Sequence, residues 1–206
     1  MRTEKNIEIL KRYLPDNCAE KVLSFLESYK VQFKISSHRN SKRGDFCAPN
    51  PRSTNPKISV NGDLNPYMFL TVFLHEAAHL LTWQKYERAV RPHGHEWQAC
   101  FQELLMQYLS FYPEEIVPHI HQFCKKVPYS MIDKVNLERA LQSYNGQQTN
   151  PLILFDLSPG DKFSLQSYPQ DVFVVETKRR TRFLCRSVRS GKRFLVSGAA
   201  FVVKVE

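Results

Sequence analysis

The sequence predicts an α+β fold in two parts, a helical domain with a small three-stranded sheet followed by a small all-β, barrel-like module. Three observations lead to this class. Apolar residues recur at helical spacing over much of residues 1–146, three strand-like runs lie within residues 31–61, and five more lie within residues 151–206. A polar, turn-rich segment, NGQQTNP at residues 145–151, is the predicted linker between the two parts.

Two helices are predicted at the beginning of the chain. Apolar residues at positions 7, 10 and 14 define a stripe from Glu4 to Leu14, and Pro15 ends it because a helix interior does not tolerate proline. Asp16 is the predicted N-cap of a second helix that runs to about Tyr29. Both helices are expected to cover the core.

A three-stranded sheet is predicted next. Residues 31–36 alternate between apolar and polar side chains, which is typical of a strand with one buried face. A basic turn at residues 38–44 leads into a second run at 45–48, and residues 57–61 form the third. These strands precede the longest predicted helix of the chain.

The longest predicted helix runs from Pro66 to Tyr86, with Asn65 as its N-cap, and contains the HExxH pattern as His75-Glu76-Ala77-Ala78-His79. The residues before His75 are nearly all apolar, so this helix is expected in a protein core. His and Glu interrupt the apolar run too early for a membrane span. Because residues four apart lie on one helix face, the imidazoles of His75 and His79 can share one metal ion.

The third ligand is expected to come from the following helix. A catalytic zinc site needs three protein ligands and one open position, and HExxH supplies two. The buried face of the following helix is marked by four large side chains: Trp97, Phe101, Leu104 and Tyr108. Extending this stripe back by four residues reaches His93, which favours His93, with Glu96 and His95 as alternatives. Zn²⁺ is the expected metal, although imidazoles also suit iron, nickel and copper.

Two further helices are predicted before the linker. The first lies within residues 114–126 and includes His119 and His121, whose spacing places their rings on different faces. These two histidines are therefore interpreted as surface or inter-helix side chains. Ser130 opens a capping box that starts the last helix, which is expected to end near Gly146.

The all-β module carries a basic cluster. Its five strand-like runs, at residues 162–166, 172–177, 182–188, 193–197 and 201–205, suggest a small barrel of the SH3 or OB type. The predicted nucleic-acid contacts are five basic residues: Lys178, Arg179, Arg180, Arg182 and Arg186. With Phe173 and Phe183 close by, they could combine backbone contacts with base stacking. The alternative is a solvated basic hairpin with both phenylalanines in the core.

Charge and cysteine usage bear on partners and compartment. The formal net charge is +9, and residues 150–206 hold 10 Lys/Arg against 5 Asp/Glu, so about a quarter of the chain carries more than half of that charge. This balance favours DNA as a partner through the basic surface. Five cysteines without a CxxC pair, and a first segment without the apolar core of a signal peptide, indicate a cytoplasmic protein with free thiols and no membrane partner.

The HEAAH pattern, followed 14 residues later by His93-Gly94-His95-Glu96-Trp97, resembles the SprT family of zinc metallopeptidases, which is related to the eukaryotic protease Spartan. The likeness covers about residues 5–125. It implies that the first histidine of the second motif, His93, is the third zinc ligand. It also implies proteolysis of DNA-associated or DNA-crosslinked proteins. The chain departs from many relatives at its end, where the basic module stands in place of a zinc ribbon with CxxC pairs.

The resulting hypothesis is a zincin-type peptidase in which His75, His79 and His93 hold Zn²⁺. Glu76 acts as general base toward the water that attacks a protein substrate. Two other hypotheses stay open: a non-catalytic zinc-containing module that binds nucleic acid, and a peptidase with no nucleic-acid role. Glu76 favours an enzyme, because a purely structural metal site has no use for a base beside an open position.

Overall fold

The computed structural model describes residues 2–39, 41–51, 53–144, 152–179 and 181–205. These residues form six α-helices and two β-sheets, which confirms the predicted α+β class. The helices are α1 (Arg2–Lys11), α2 (Ala19–Ser28), α3 (Pro66–Tyr86), α4 (His95–Gln107), α5 (Val117–Cys124) and α6 (Met131–Gln142). The strands are β1 (Gln32–Ser36), β2 (Gly44–Cys47), β3 (Lys57–Asn61), β4 (Lys162–Leu165), β5 (Tyr168–Lys178), β6 (Arg182–Ser187), β7 (Arg193–Ser197) and β8 (Val202–Val205). Gly146, the predicted end of the last helix, and the predicted linker at 145–151 lie outside the described residues.

The first two helices differ from the prediction at the connection between them. α1 ends at Lys11, three residues before Leu14, and the chain then turns. The prediction that Asp16 caps α2 is wrong. Cys18 precedes α2 without a side-chain cap, because the left-handed backbone of Asn17 (φ 59°) redirects the chain immediately before the helix.

The three-stranded sheet has the order β1-β3-β2, with β1 parallel and β2 antiparallel to the central strand. Ile58 and Val60 of β3 are buried. On β1, Phe33 meets Phe69 and Phe73 of α3 edge to face, at ring-centroid distances of 6.4 and 5.8 Å. The sheet therefore covers one side of α3 and leaves β2 as an edge strand beside it.

Helix α3 lies in the core, as its apolar sequence predicts. The side-chain oxygen of Asn65 accepts the N–H of Met68 at 2.9 Å, and Pro66 occupies the first turn, so the predicted cap is confirmed. The helix has buried residues of its own on all sides, from Met68 to Thr82. Neither α3 nor any other helix in the described ranges is long and apolar enough to cross a membrane.

Helix α6 is capped at its beginning and is attached to other elements near its end and in its middle. Its first turn begins with the predicted cap, since Ser130 accepts a backbone N–H at 3.2 Å. Near its end, the side-chain amide of Asn65 donates to the carbonyl oxygen of Leu141 at 2.9 Å. Between them, the guanidinium of Arg43 pairs with the carboxylate of Glu138 at 2.6 Å. These contacts attach α6 to the beginning of α3 and to the segment before β2.

The second sheet is antiparallel throughout, in the order β7-β6-β5-β4-β8. Its strands lie where the five runs were predicted, although β5 begins at Tyr168, four residues early. The sheet packs on a core of its own around Phe163, Phe173 and Phe183, and this core shares no described residue with the first one. Closure of the sheet into a barrel and the domain boundary stay predictions.

An ion pair joins the two parts of the described fold. The guanidinium of Arg139 on α6 pairs with the carboxylate of Asp156, which lies in the short helical turn before β4. The two side chains are 17% and 32% exposed, so solvent reaches this contact. Arg139 directly follows Glu138, the residue that pairs with Arg43.

Candidate metal centre and adjoining cavity

Three histidine side chains converge beside α3. The Nε2 atom of His93 lies 3.0 Å from that of His79 and 3.1 Å from that of His75, and the potential ligand atoms of all three lie within 4.8 Å of one another. Two nitrogen ligands of a tetrahedral zinc ion, at about 2.05 Å from the metal, lie about 3.3 Å apart. The cluster could therefore hold a metal ion after small adjustments, and three imidazole nitrogens form a donor set that suits zinc.

The three rings reach this place by two routes. His75 and His79 are one turn apart and project from the same face of α3. His93 is not part of a helix, because α4 begins at His95 and the backbone of His93 is left-handed (φ 57°). The sequence prediction reached His93 by extending the apolar stripe of α4 backwards, but α4 does not include His93. The structure nevertheless brings its ring to the other two.

The alternative third ligands do not join the cluster. Within the described ranges, the group of side chains close enough to share a metal ion consists of His75, His79 and His93. His95 and Glu96 lie in the first turn of α4, where His95 is exposed. Neither side chain therefore belongs to the group that could share a metal ion with His75 and His79.

Trp97 packs against all three imidazoles. Its ring centroid lies 4.6 Å from those of His75 and His93 and 5.1 Å from that of His79. Burial, together with the neighbouring imidazoles, lowers the pKa of His75 to about 3 and that of His79 to about 4. Burial also lowers the pKa of His93. The three rings are therefore neutral at pH 7, which is the form that binds a metal ion.

Glu76 is a buried carboxylate next to the cluster, with 7% of the residue exposed. Burial, followed by the charge of Asp45, raises its pKa to about 7, while Lys42 and Arg39 act in the opposite direction. Gly44 on β2 leaves the space that this carboxylate occupies, because an added Cβ would lie 2.5 Å from Oε1 of Glu76. A carboxylate with a pKa near neutrality is suited to take up and release a proton.

A cavity of about 560 Å³ opens beside the cluster, and His75, Glu76 and His93 line one side of it. Four buried apolar side chains are among those that line it: Met68, Phe123, Leu137 and Leu141. Four charged side chains lie around it as well: Lys42, Arg43, Lys134 and Glu138. The cavity therefore combines an apolar interior, a charged surround and the candidate metal centre.

Two side chains that line the cavity could interact with developing negative charge. Burial raises the pKa of Tyr129, so its hydroxyl stays protonated at neutral pH. The ammonium group of Lys134 has no ion-pair or hydrogen-bond partner among the described residues. Tyr112 is unsuited to this role, because it is buried and its hydroxyl is hydrogen-bonded to Thr71 at 2.9 Å.

The contribution of α6 to this cavity is not visible from the sequence. Leu137 and Leu141 stand one helical turn apart, so the sequence does signal that α6 has a buried face. It does not signal which element that face covers. The same holds for Lys134, which resembles an ordinary exposed residue of a helix.

The predicted nucleic-acid contacts lie on the second sheet. Lys178, Arg179 and Arg182 are exposed and lie around the connection from β5 to β6. The backbone N–H of Arg179 donates to the carbonyl oxygen of Arg182 at 2.7 Å, which holds this connection together. Arg180 lies outside the described residues.

The positive charge of two other arginines of the second sheet is partly neutralised by a carboxylate. Arg186 on β6 and Arg193 on β7 face each other and both donate to the carboxylate of Glu176, at 3.2 and 2.8 Å. Of the two possibilities left open for Phe173 and Phe183, stacking on bases is wrong and the position in the core is confirmed. They are 5% and 0% exposed, because both point into the core of the second sheet.

Comparison with known proteins gives matches for the part of the chain that contains this site. Residues 18–119 match the model of the SprT-like family. The chain is 38% identical over 82 residues to Protein SprT of Vibrio parahaemolyticus serotype O3:K6 (strain RIMD 2210633). That match covers 38% of this chain and 48% of the relative, so the chain spans about half the length of the curated protein it matches. No solved structure matches the chain. The segment that matches the family contains the three histidines and Glu76, and it ends before α6.

Proposed function

Because this chain belongs to the SprT-like family through residues 18–119, we propose that it is a zinc-dependent metallopeptidase. The observation that carries this proposal is the position of Glu76 beside three neutral imidazoles, two of which, those of His75 and His93, line the same cavity as Glu76. A metal site that only stabilises a fold needs neither a carboxylate with a raised pKa nor an adjoining cavity. This arrangement favours an enzyme over a non-catalytic zinc-containing module.

In this proposal, His75, His79 and His93 hold the zinc ion through their Nε2 atoms. Zinc supplies a Lewis acid that lowers the pKa of water and polarises a carbonyl group. Glu76 accepts a proton from the attacking water as the new carbon–oxygen bond forms. It then delivers that proton to the leaving amine as the peptide bond breaks, so the carboxylate is regenerated.

The oxygen of the scissile carbonyl becomes negatively charged during the attack, and donors that already face it lower the barrier. We assign this role to Lys134 and Tyr129, which line the same cavity as His75 and His93. Among the residues that the structure describes, none has to be displaced from the Lys134 ammonium group before it can act. Tyr129 keeps its proton at neutral pH because burial raises its pKa.

We propose DNA-associated or DNA-crosslinked proteins as the substrates, with DNA held by the basic surface of the second sheet. The net charge of +9 and the exposed side chains of Lys178, Arg179 and Arg182 support this choice. A peptidase with no nucleic-acid role would use the same residues for chemistry. It would differ in having no dependence on DNA.

The test is cleavage of a basic DNA-binding protein by the wild type and by Glu76→Gln, with and without single- and double-stranded DNA. We expect cleavage by the wild type, stimulated by DNA. The variant should retain zinc and lose roughly 10²- to 10⁴-fold in rate, the usual contribution of a positioned acid or base. A Glu76→Gln variant as fast as the wild type would remove the base role. A zinc-loaded wild type that binds DNA and cleaves nothing would favour the non-catalytic module.

A further inference from the structure

We infer that the cavity beside the histidines is a specificity pocket that receives a large apolar side chain of the substrate, next to the scissile bond. The inference rests on the proposed function, since it assigns a substrate feature to the same site. One wall of the cavity is formed by α6, which lies outside residues 18–119, the segment that matches the family.

The interior of the cavity is complementary to an apolar group. Met68, Phe123, Leu137 and Leu141 line it, and each is exposed by 5% or less. The volume of about 560 Å³ falls within the range of roughly 300–1,000 Å³ that is common for ligand sites. A leucine, methionine or phenylalanine side chain that enters this space leaves water for apolar contacts, which is favourable in proportion to the area buried.

Charged side chains do not fit this cavity. Lys134 lines it and has no ion-pair partner among the described residues, so a lysine or arginine of the substrate meets like charge. Of the carboxylates among the described lining residues, Glu138 is paired with Arg43 and Glu76 is assigned to proton transfer. A substrate carboxylate would lose its water among the apolar lining residues, and the one ammonium group among the described lining residues that has no partner, that of Lys134, is assigned to the scissile carbonyl oxygen. The cavity thus selects for apolar side chains, because its apolar lining favours their burial and disfavours the burial of charged ones.

The wall formed by α6 is held in place, so the cavity has a defined width. Asn65 donates to the carbonyl oxygen of Leu141 at 2.9 Å, and Arg43 pairs with Glu138 at 2.6 Å. Leu137 lies beside these two anchored positions on the helix and faces the cavity. Leu137 is therefore the residue whose size should set which side chain is accepted.

The experiment measures binding to the zinc-loaded full chain by calorimetry. The probes are succinyl hydroxamates that differ in one side chain: methyl, isobutyl, benzyl or carboxyethyl. Leu137→Phe narrows the cavity and Leu137→Ala widens it, so the test survives if one of the two variants does not fold. Ile132→Phe is the matched control, because Ile132 lies on the same helix and is 44% exposed.

We expect the isobutyl and benzyl probes to bind the wild type roughly 10- to 100-fold more tightly than the methyl and carboxyethyl probes. Leu137→Phe should remove this preference, Leu137→Ala should shift it toward benzyl, and Ile132→Phe should leave it unchanged. Equal binding of all four probes to the wild type overturns the inference. An unchanged preference in a folded Leu137 variant does so as well.

Because binding is measured without turnover, the pocket and the peptidase proposal can fail separately. An apolar preference in a protein that cleaves nothing would keep the pocket and reject the peptidase. Cleavage by a protein without an apolar preference would do the reverse. If no hydroxamate binds the zinc-loaded chain at all, the bound zinc has no position open to a ligand beside the cavity, and the pocket assignment is rejected.

Discussion

A Cβ atom on Gly44 would lie 2.5 Å from Oε1 of Glu76 and 2.7 Å from Cγ1 of Val72, well inside the ordinary contact distance of 3.4–4 Å. The edge strand β2 can approach α3 this closely only because position 44 has no side chain. The position of the candidate base and the identity of a residue on another element are therefore linked.

Gly44→Ala should displace the Glu76 carboxylate by about 1 Å, the difference between 2.5 Å and an ordinary contact. A misplacement of that size costs on the order of 100-fold in rate. We expect kcat to fall by that factor while zinc content stays near the wild-type level. Gly62→Ala is the control, because its Cβ would meet Ile35 at 2.9 Å and so affect stability alone. Equal losses in both variants would indicate general destabilisation.

Single substitutions should distinguish the proposed ligand His93 from its neighbours His95 and Glu96. Mutation of a residue that only supports a metal ligand lowers metal affinity roughly 10- to 100-fold. His93→Ala removes a ligand itself, so we expect it to weaken zinc binding by more than this. His95→Ala and Glu96→Ala should bind zinc like the wild type. Competition with a chelator of known affinity measures all three. Wild-type affinity in His93→Ala would transfer the ligand role to another residue.

Gln98 connects the loop of His93 with the segment before α6. Its side-chain amide donates to the carbonyl oxygen of His93 at 3.0 Å, and its oxygen accepts the N–H of Tyr129 at 3.1 Å. Gln98→Leu removes both bonds, so the left-handed backbone of His93 loses its support, and we expect a roughly 10- to 100-fold lower zinc affinity. Gln107→Leu, which removes a hydrogen bond to exposed Glu103, is the control. A lower Tm of the metal-free protein with unchanged zinc affinity would show a merely structural role.

Trp97 should report metal binding directly, because its ring lies within 5.1 Å of all three imidazole centroids. The chain has two tryptophans, so Trp83→Phe leaves Trp97 as the sole source of tryptophan emission. Addition of Cu²⁺ to the metal-free variant should quench its emission with saturation at one equivalent, and a chelator should restore it. A further His75→Ala change should weaken the response. Emission that ignores the metal would contradict the assignment of the cluster.

The basic surface can be tested by charge reversal. Arg179→Glu combined with Arg182→Glu should weaken binding to single-stranded DNA. The slope of log affinity against log salt should fall by about 1 for each phosphate that the variant no longer binds. Lys85→Glu combined with Arg88→Glu changes the net charge equally on exposed positions of the first part. If both pairs of changes weaken binding alike, the effect comes from net charge and not from this surface.

The local elements of the fold were readable from the sequence. The predicted bounds of α3, β3 and β7 coincide with those observed, because the N-cap and apolar run of α3 and the short strand-like runs of β3 and β7 are signals carried by neighbouring residues. The cap at Asn65 is such a signal. Asp16 carries the same kind of signal and misleads, because the turn at Asn17 decides where α2 begins.

The assembly of the cavity was not readable, because it depends on contacts between distant parts of the chain. Arg43 and Glu138 are 95 residues apart, and Asn65 and Leu141 are 76 apart. Periodicity identifies a buried face but not the element it meets. The left-handed backbone that turns His93 toward α3 likewise has no signature in the apolar pattern.

Two neighbouring residues of α6 make contacts in different directions, Glu138 with Arg43 at the cavity and Arg139 with Asp156 before the second sheet. A partly exposed ion pair contributes about 0–1 kcal/mol, and a coupling of 1 kcal/mol changes an affinity about fivefold. Asp156→Asn should therefore reduce any stimulation by DNA only slightly, and a large reduction would contradict this expectation. Through this contact, the second sheet could change the rate of the reaction at the cavity by small factors, but it could not switch the reaction on or off.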